Sequence, residues 1–78
     1  MANTSVLTDY IILLARYRII VELSTSDNIG DDFVEFQKLL PRIINAYQKG
    51  YYNHENYKAL CTMYYDIYHS FQLAVKYA

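Results

Sequence analysis

The chain has 78 residues, seven basic and eight acidic side chains, and a hydrophobic fraction of 54%. This fraction excludes an intrinsically disordered chain, because disorder requires low hydrophobicity and high net charge. A net charge of −1 argues against a nucleic-acid-binding surface, which needs a basic stripe. The length predicts a single helical domain over 1–78 with a thin margin of stability, which burial against a partner subunit would increase.

The first predicted helix covers residues 5–23 and is apolar on both sides. The stripe expected to face the core consists of Val6, Tyr10, Leu13, Leu14, Tyr17 and Val21. Ile12, Ile19 and Leu23 lie on the other half of the helix. A helix that is apolar nearly all round is normally buried on several sides, and three helices can hardly surround it. The pattern predicts a homodimer with Ile12, Ile19 and Leu23 as the self-association residues.

The second predicted helix covers residues 32–49 and follows the polar stretch STSDNIGDD. Asp32 and Glu35 have the spacing of a capping box at its start. Pro41 lacks the N–H that would bond to the carbonyl of Gln37, so it predicts either a kinked helix or two short ones. The apolar stripe keeps its phase across Pro41, which favours one helix kinked there. That stripe consists of Phe33, Phe36, Leu39, Leu40, Ile43, Ile44 and Tyr47.

The third predicted helix covers residues 54–77 and is amphipathic. Gly50 suits the position just after the second helix, and Asn53 suits the N-cap of the third. One face of this helix carries Tyr57, Leu60, Cys61, Tyr64, Ile67, Tyr68, Phe71, Ala74 and Val75, and the opposite face is polar. Together the segments predict an all-α fold, a small three-helix antiparallel bundle with its second helix kinked at Pro41.

The residues that could carry enzymatic chemistry form no recognisable motif. Asp66 and His69 have the spacing of a dyad, but no serine or cysteine nucleophile is placed beside them. His54 and His69 are too far apart along one helix to share a metal within one chain, and no zinc or di-iron motif occurs in the sequence. We therefore expect no enzyme activity, no cofactor and no metal.

The compartment follows from cysteine usage and from the apolar runs. Cys61 is the single cysteine, which is typical of a reducing compartment and excludes a disulfide within the chain. The apolar run from Tyr10 to Ala15 is too short for a signal peptide or a membrane span. We expect a soluble cytoplasmic protein that does not interact with membranes.

Six of the ten tyrosines lie between residues 51 and 71. Interfaces are enriched in tyrosine, because its ring is apolar and its hydroxyl tolerates water. The predicted partner-binding residues are tyrosines outside the core stripe, with one neighbouring histidine: Tyr51, Tyr52, Tyr65 and His69. Tyr77 also faces outward in the helical projection, beside Leu73. An alternative interpretation stays open, in which these tyrosines are ordinary half-exposed aromatics that pack against neighbouring helices.

These features predict a non-enzymatic protein that acts by binding another protein. Inhibitors, immunity proteins and adaptors have this size, and so do virus- or phage-encoded proteins directed at a host defence system. The alternative is a self-associating structural or regulatory module whose function is the homo-oligomer itself. The two hypotheses are compatible, because a homodimer can also bind a second protein.

Overall fold

The computed structural model describes residues 4–23 and 27–77. Within these ranges the chain forms the helices α1 (Thr4–Leu23), α2 (Ile29–Gln37), α3 (Leu39–Gln48) and α4 (His54–Lys76). Lys38 alone separates α2 from α3, and these two helices form the middle arm of a bundle with three arms. The predicted all-α three-helix bundle is confirmed.

The first and third arms run in the same direction. The ring of Tyr10, near the start of α1, lies 6.4 Å from the ring of Tyr52, just before α4. Further along both helices, Tyr17 lies 6.2 Å from Phe71. The middle arm runs against both, because Phe33, at its beginning, stacks on Phe71 at 5.3 Å. Arms that follow one another in the sequence are therefore antiparallel.

The middle arm begins at Ile29, three residues before the predicted start. Asn28 is the N-cap, and its carbonyl oxygen accepts a hydrogen bond of 2.9 Å from the N–H of Asp32. Asp32 is thus already inside the helix, and the Glu35 carboxylate pairs with Lys38 at 3.0 Å. The predicted capping box of Asp32 and Glu35 is therefore wrong. Ile29 explains the earlier start, because burial of its side chain in the core stabilises this additional turn of helix.

The break in the middle arm falls at Lys38 and not at Pro41. The N–H of Lys38 donates to the carbonyl of Glu35 at 3.2 Å, which is the tighter three-residue spacing of a 3₁₀ turn. Pro41 is the third residue of α3, where a backbone N–H has no partner within the helix in any case. The observed bounds of α2 and α3 agree with the alternative prediction of two short helices. A bend at Pro41 itself stays a prediction.

The turn between α3 and α4 confirms both capping predictions. Gly50 has φ +82°, a left-handed conformation that glycine adopts without strain. The N–H groups of Gly50 and Tyr51 donate to carbonyls in the last turn of α3 at 2.9 and 3.1 Å, which is the Schellman arrangement. The side-chain oxygen of Asn53 accepts a hydrogen bond of 2.8 Å from the N–H of Asn56, and α4 starts there.

The core is built around α4, which packs against the other three helices. The rings of Phe36 and Tyr64 stack at its centre with centroids 4.5 Å apart. Within the described residues, Leu14 is the one member of α1 among the fully buried side chains. The buried set is Leu14, Ile29, Phe36, Leu39, Ile43, Ala46, Tyr52, Leu60, Tyr64, Ile67 and Phe71.

Candidate protein-binding surfaces

Tyr52 lies in the core, with only 3% of its surface exposed. The Schellman turn at Gly50 reverses the chain and directs Tyr52 inward, where its hydroxyl donates to the carbonyl oxygen of Ile43. Its ring meets the edge of Tyr10 and stacks on Tyr47 at 6.1 Å. Burial is the main cause that raises the pKa of Tyr52 to about 12. The prediction that Tyr52 belongs to a partner-binding surface is wrong, because no partner could reach it.

Other tyrosine hydroxyls find partners at the edge of the core. The hydroxyl of Tyr10 donates to the carbonyl oxygen of Arg42 at 3.2 Å, and Tyr47 shares a hydrogen bond of 3.1 Å with Nδ1 of His54. Among the described residues, every buried side-chain nitrogen or oxygen has a hydrogen-bond partner. The many tyrosines are accommodated because their rings enter the core while most hydroxyls stay at its rim.

An exposed ridge runs along the outer side of α4. Its members recur every four residues, and we call Tyr65, His69, Leu73 and Tyr77 the α4 ridge. Tyr65, Leu73 and Tyr77 are 49%, 58% and 75% exposed, and His69 is also exposed. Four-residue steps on a helix form a row that fits the groove of another helix. The structure therefore places two of the predicted partner-binding residues, Tyr65 and His69, in one continuous surface.

The α4 ridge is held in place by rings that belong to the core. Tyr65 meets the buried Tyr64 edge-on, with centroids 5.3 Å apart, and lies 6.3 Å from Tyr68. Tyr68 also meets the edge of His69 at 6.0 Å. These contacts restrict the orientations of the exposed rings, so that less side-chain entropy would be lost when a partner binds.

Tyr51 lies apart from the α4 ridge. It is 38% exposed and belongs to the turn before α4. From the first residue of α4 to Tyr65 the helix rises by about 16 Å, at 1.5 Å per residue. The predicted set of four partner-binding residues is therefore not one site. Tyr65 and His69 share the ridge, Tyr51 lies near the other end of the bundle, and Tyr52 is buried.

A second apolar surface lies on α1. Ile12, Ile19 and Leu23 are 53%, 55% and 66% exposed, so their predicted position away from the core is confirmed. Ala15, also exposed, lies between the two isoleucines on the same side. We call Ile12, Ala15, Ile19 and Leu23 the α1 stripe. Their role in self-association stays a prediction.

Charged residues border the α1 stripe. Asp9 lines a groove of about 430 Å³ together with Ile12 and with Arg42 of α3. Arg16 lies on the same border and lines a groove of about 240 Å³ with acidic residues of α2. An acidic and a basic residue thus follow one edge of the stripe, seven positions apart, which is about two helical turns.

The potentially reactive side chains are engaged in contacts with tyrosines. A hydrogen bond to the half-buried Cys61 is the main cause that raises the pKa of Tyr57. Within residues 4–23 and 27–77, no three His, Cys, Asp or Glu side chains come together as a group that could hold a metal ion.

Sequence reasoning placed Leu73 and Tyr77 on the outer side of the third helix but did not recognise that they form one ridge with Tyr65 and His69. The signal was present, because both continue the four-residue spacing that begins at Tyr65 and His69. It also missed Asp9 and Arg16, because these charges become informative only once the exposed α1 stripe is known to lie beside them.

Comparison of the chain with protein-family models, with curated proteins and with solved structures finds no match. Across the part of the chain that the structure describes, none of the helices has the length and apolarity needed to cross a membrane.

Proposed function

We propose that this chain is a non-enzymatic cytoplasmic protein that acts by binding another protein through the α4 ridge. The observation that carries this proposal is the exposed row of Tyr65, His69, Leu73 and Tyr77 on the helix that forms the centre of the core. The proposed partner is a protein and not a nucleic acid, because the net charge of −1 provides no basic surface.

The shape of the ridge favours a partner with a groove. Residues four apart on one helix are the anchors by which helices occupy hydrophobic grooves on other proteins. Tyrosine suits the centre of such a contact, since its ring gives a large apolar area and its hydroxyl can bond to the partner or to water. At the end of the ridge, the ammonium group of Lys76 lies 5.5 Å from the centre of the Tyr77 ring, which adds a positive charge there.

A rigid ridge on a small domain suits a protein that blocks or bridges a larger one. The other side of α4 is buried by Leu60, Ile67 and Phe71, so the helix is already formed before binding. Preformed binding surfaces lose little conformational entropy on association. Such a preformed surface is sufficient for an inhibitor, an immunity protein or an adaptor. It is also sufficient for a virus- or phage-encoded protein directed at a host defence system.

Affinity capture from the native host tests the α4 ridge. The tagged wild type should retain one protein in a stoichiometric amount, and the double variant Tyr65→Ala, Leu73→Ser should retain at least tenfold less. Val34→Ser is the matched control, because Val34 is an exposed apolar residue outside both surfaces. Equal capture by the wild type and the double variant would rule out the ridge as the binding surface.

A second candidate function is self-association through the α1 stripe, and the exposure of Ile12 and Ile19 is the observation that favours it. Replacing both isoleucines by serine should dissociate a dimer while the helical circular dichroism signal stays unchanged. Unfolding of this variant would instead place the two side chains in the core of the single chain. The two candidate functions use different helices, so they can be tested separately.

A further inference from the structure

The α1 stripe carries a pattern that identifies its occupant and the orientation of that occupant. We propose that it binds a second copy of this chain with the two α1 helices antiparallel, and that Asp9 of each copy faces Arg16 of the other. This inference rests on the second candidate function, self-association, and is independent of the α4 ridge. It assigns Asp9 and Arg16 as the residues that determine orientation.

The apolar part of the pattern is that of a helix pair. Thr8, Ile12, Ala15 and Ile19 are separated by steps of four, three and four residues, which is the spacing of a two-helix seam. All four are exposed, so no element among residues 4–23 and 27–77 covers the seam. The small side chain of Ala15 lets the backbones approach to roughly the 8–10 Å typical of packed helices.

The charges decide the direction. Asp9 and Arg16 lie on the same border of the seam, and among the described residues neither has an ion-pair partner within 4.0 Å in its own chain. In a parallel pair, this border of one copy would face the other border of the second copy, where the exposed Ile11 offers no charge to Arg16. In an antiparallel pair, both contacts join opposite charges. Charge complementarity therefore favours the antiparallel arrangement.

This pairing also fixes the register. In the antiparallel seam, Ile12 of each copy packs against Ala15 of the other, and Asp9 of one copy then lies within about two residues of the level of Arg16 of the other. Ile19 then lies over Thr8 of the second copy, and Leu23 lies beyond that contact at the end of the seam. A seam of about 16 Å from Thr8 to Ile19 is short. Interfaces of this size are at the lower limit for stable association, so we expect a dissociation constant in the micromolar range.

Multi-angle light scattering of the whole chain gives the first test. At about 500 μM, well above the expected dissociation constant, the wild type should have twice the 9.2 kDa mass of one chain. Asp9→Arg and Arg16→Asp should each raise the dissociation constant at least tenfold. An equimolar mixture of these two variants should form a dimer again, because opposite charges then face each other at both contacts. Lys58→Asp, an equal charge reversal on α4, is the control and should have no effect.

Distance measurements between spin labels test the orientation directly. A single label at Glu22→Cys, in a Cys61→Ser background, should give a distance of about 27 Å in the antiparallel dimer, from about 25 Å along the axis and about 9 Å between the axes. A parallel pair in register would give about 10 Å, since only the interaxial separation would then divide the labels.

Each negative result overturns a different statement. A mass of one chain at about 500 μM would overturn both the antiparallel pairing and self-association, since even weak specific interfaces form at that concentration. It would leave binding through the α4 ridge intact. A dimer that is insensitive to both charge reversals, or a label distance near 10 Å, would overturn the antiparallel pairing while self-association stands.

Discussion

Helices α1 and α4 lie side by side and run in the same direction, yet they bury their apolar residues in different ways. The apolar residues of α4 converge on one face, where four of them are buried. Those of α1 are spread around the helix, and within the described residues Leu14 alone is fully buried there. The difference shows that position in the bundle sets burial. The central helix α4 contacts every other helix, whereas α1 is a peripheral helix with one covered side.

The largest effect should come from removing a fully buried ring of α4. Phe71 contacts rings of both other arms, including Tyr17 of α1 and Phe36 of α2. Phe71→Ala should lower the free energy of unfolding by about 4 kcal/mol, since a buried phenyl ring leaves a cavity. Urea denaturation measures this, and Phe71→Leu should cost less than half as much if the alanine variant fails to fold. Tyr65→Ala, on the outer side of the same helix, should change stability by less than about 0.5 kcal/mol.

A pair of substitutions in α1 should separate its covered side from its exposed side. Leu14→Ala should destabilise the fold by about 3 kcal/mol, because its side chain is fully buried. Ile12→Ala removes a similar apolar volume from an exposed site and should cost less than about 0.5 kcal/mol. Thermal unfolding at low micromolar concentration compares them without a contribution from self-association. Equal losses would mean that Ile12 is covered within a single chain.

High pH should weaken the contact between the start of α4 and its neighbours. Because burial raises the pKa of Tyr52 from 10 to about 12, the folded state favours the neutral phenol. Its stabilisation is complete below pH 10 and should be lost as the pH rises to about 12, to the extent of on the order of 2 kcal/mol.

The variant Tyr52→Phe should remove this part of the pH dependence. At neutral pH it should cost about 1 kcal/mol, because its hydrogen bond to Ile43 is lost. Urea unfolding of the wild type and the variant at pH 8 and pH 11 makes the comparison. Burial also raises the pKa of Tyr64, so a smaller alkaline loss should remain in the variant. Identical pH profiles would contradict the role of Tyr52.

The smallest effect concerns the start of α4, which a side chain caps. Asn53→Ala should lower the free energy of unfolding by about 1 kcal/mol, because the N–H of Asn56 loses its acceptor. Asn53→Asp should retain most of the stability, since a carboxylate accepts the same bond and suits the positive end of the helix. A neutral effect of Asn53→Ala in chemical denaturation would show that packing alone fixes the start of α4.

The periodicity of the sequence was enough to predict the bundle and the side of each helix that faces inward. Leu60, Tyr64, Ile67 and Phe71 fall on one side of any helix that contains them, so their burial follows from helical geometry. Gly50 and Asn53 act through local backbone chemistry, which is also readable from neighbouring residues. The exposure of Ile12 and Ile19 was predictable in the same way, because three helices leave one side of α1 uncovered.

Which side chains contact one another between distant segments was decided only by the tertiary structure. Tyr52 is in a turn, where no periodicity assigns a face, and its burial depends on Ile43 and Tyr10 being within reach. Ile29 joins the helix because a core is present to receive it. The α4 ridge is likewise the exposed side of α4 because the other helices cover the opposite side. Helical periodicity is local in the chain, whereas these three outcomes depend on contacts between segments that are distant in sequence.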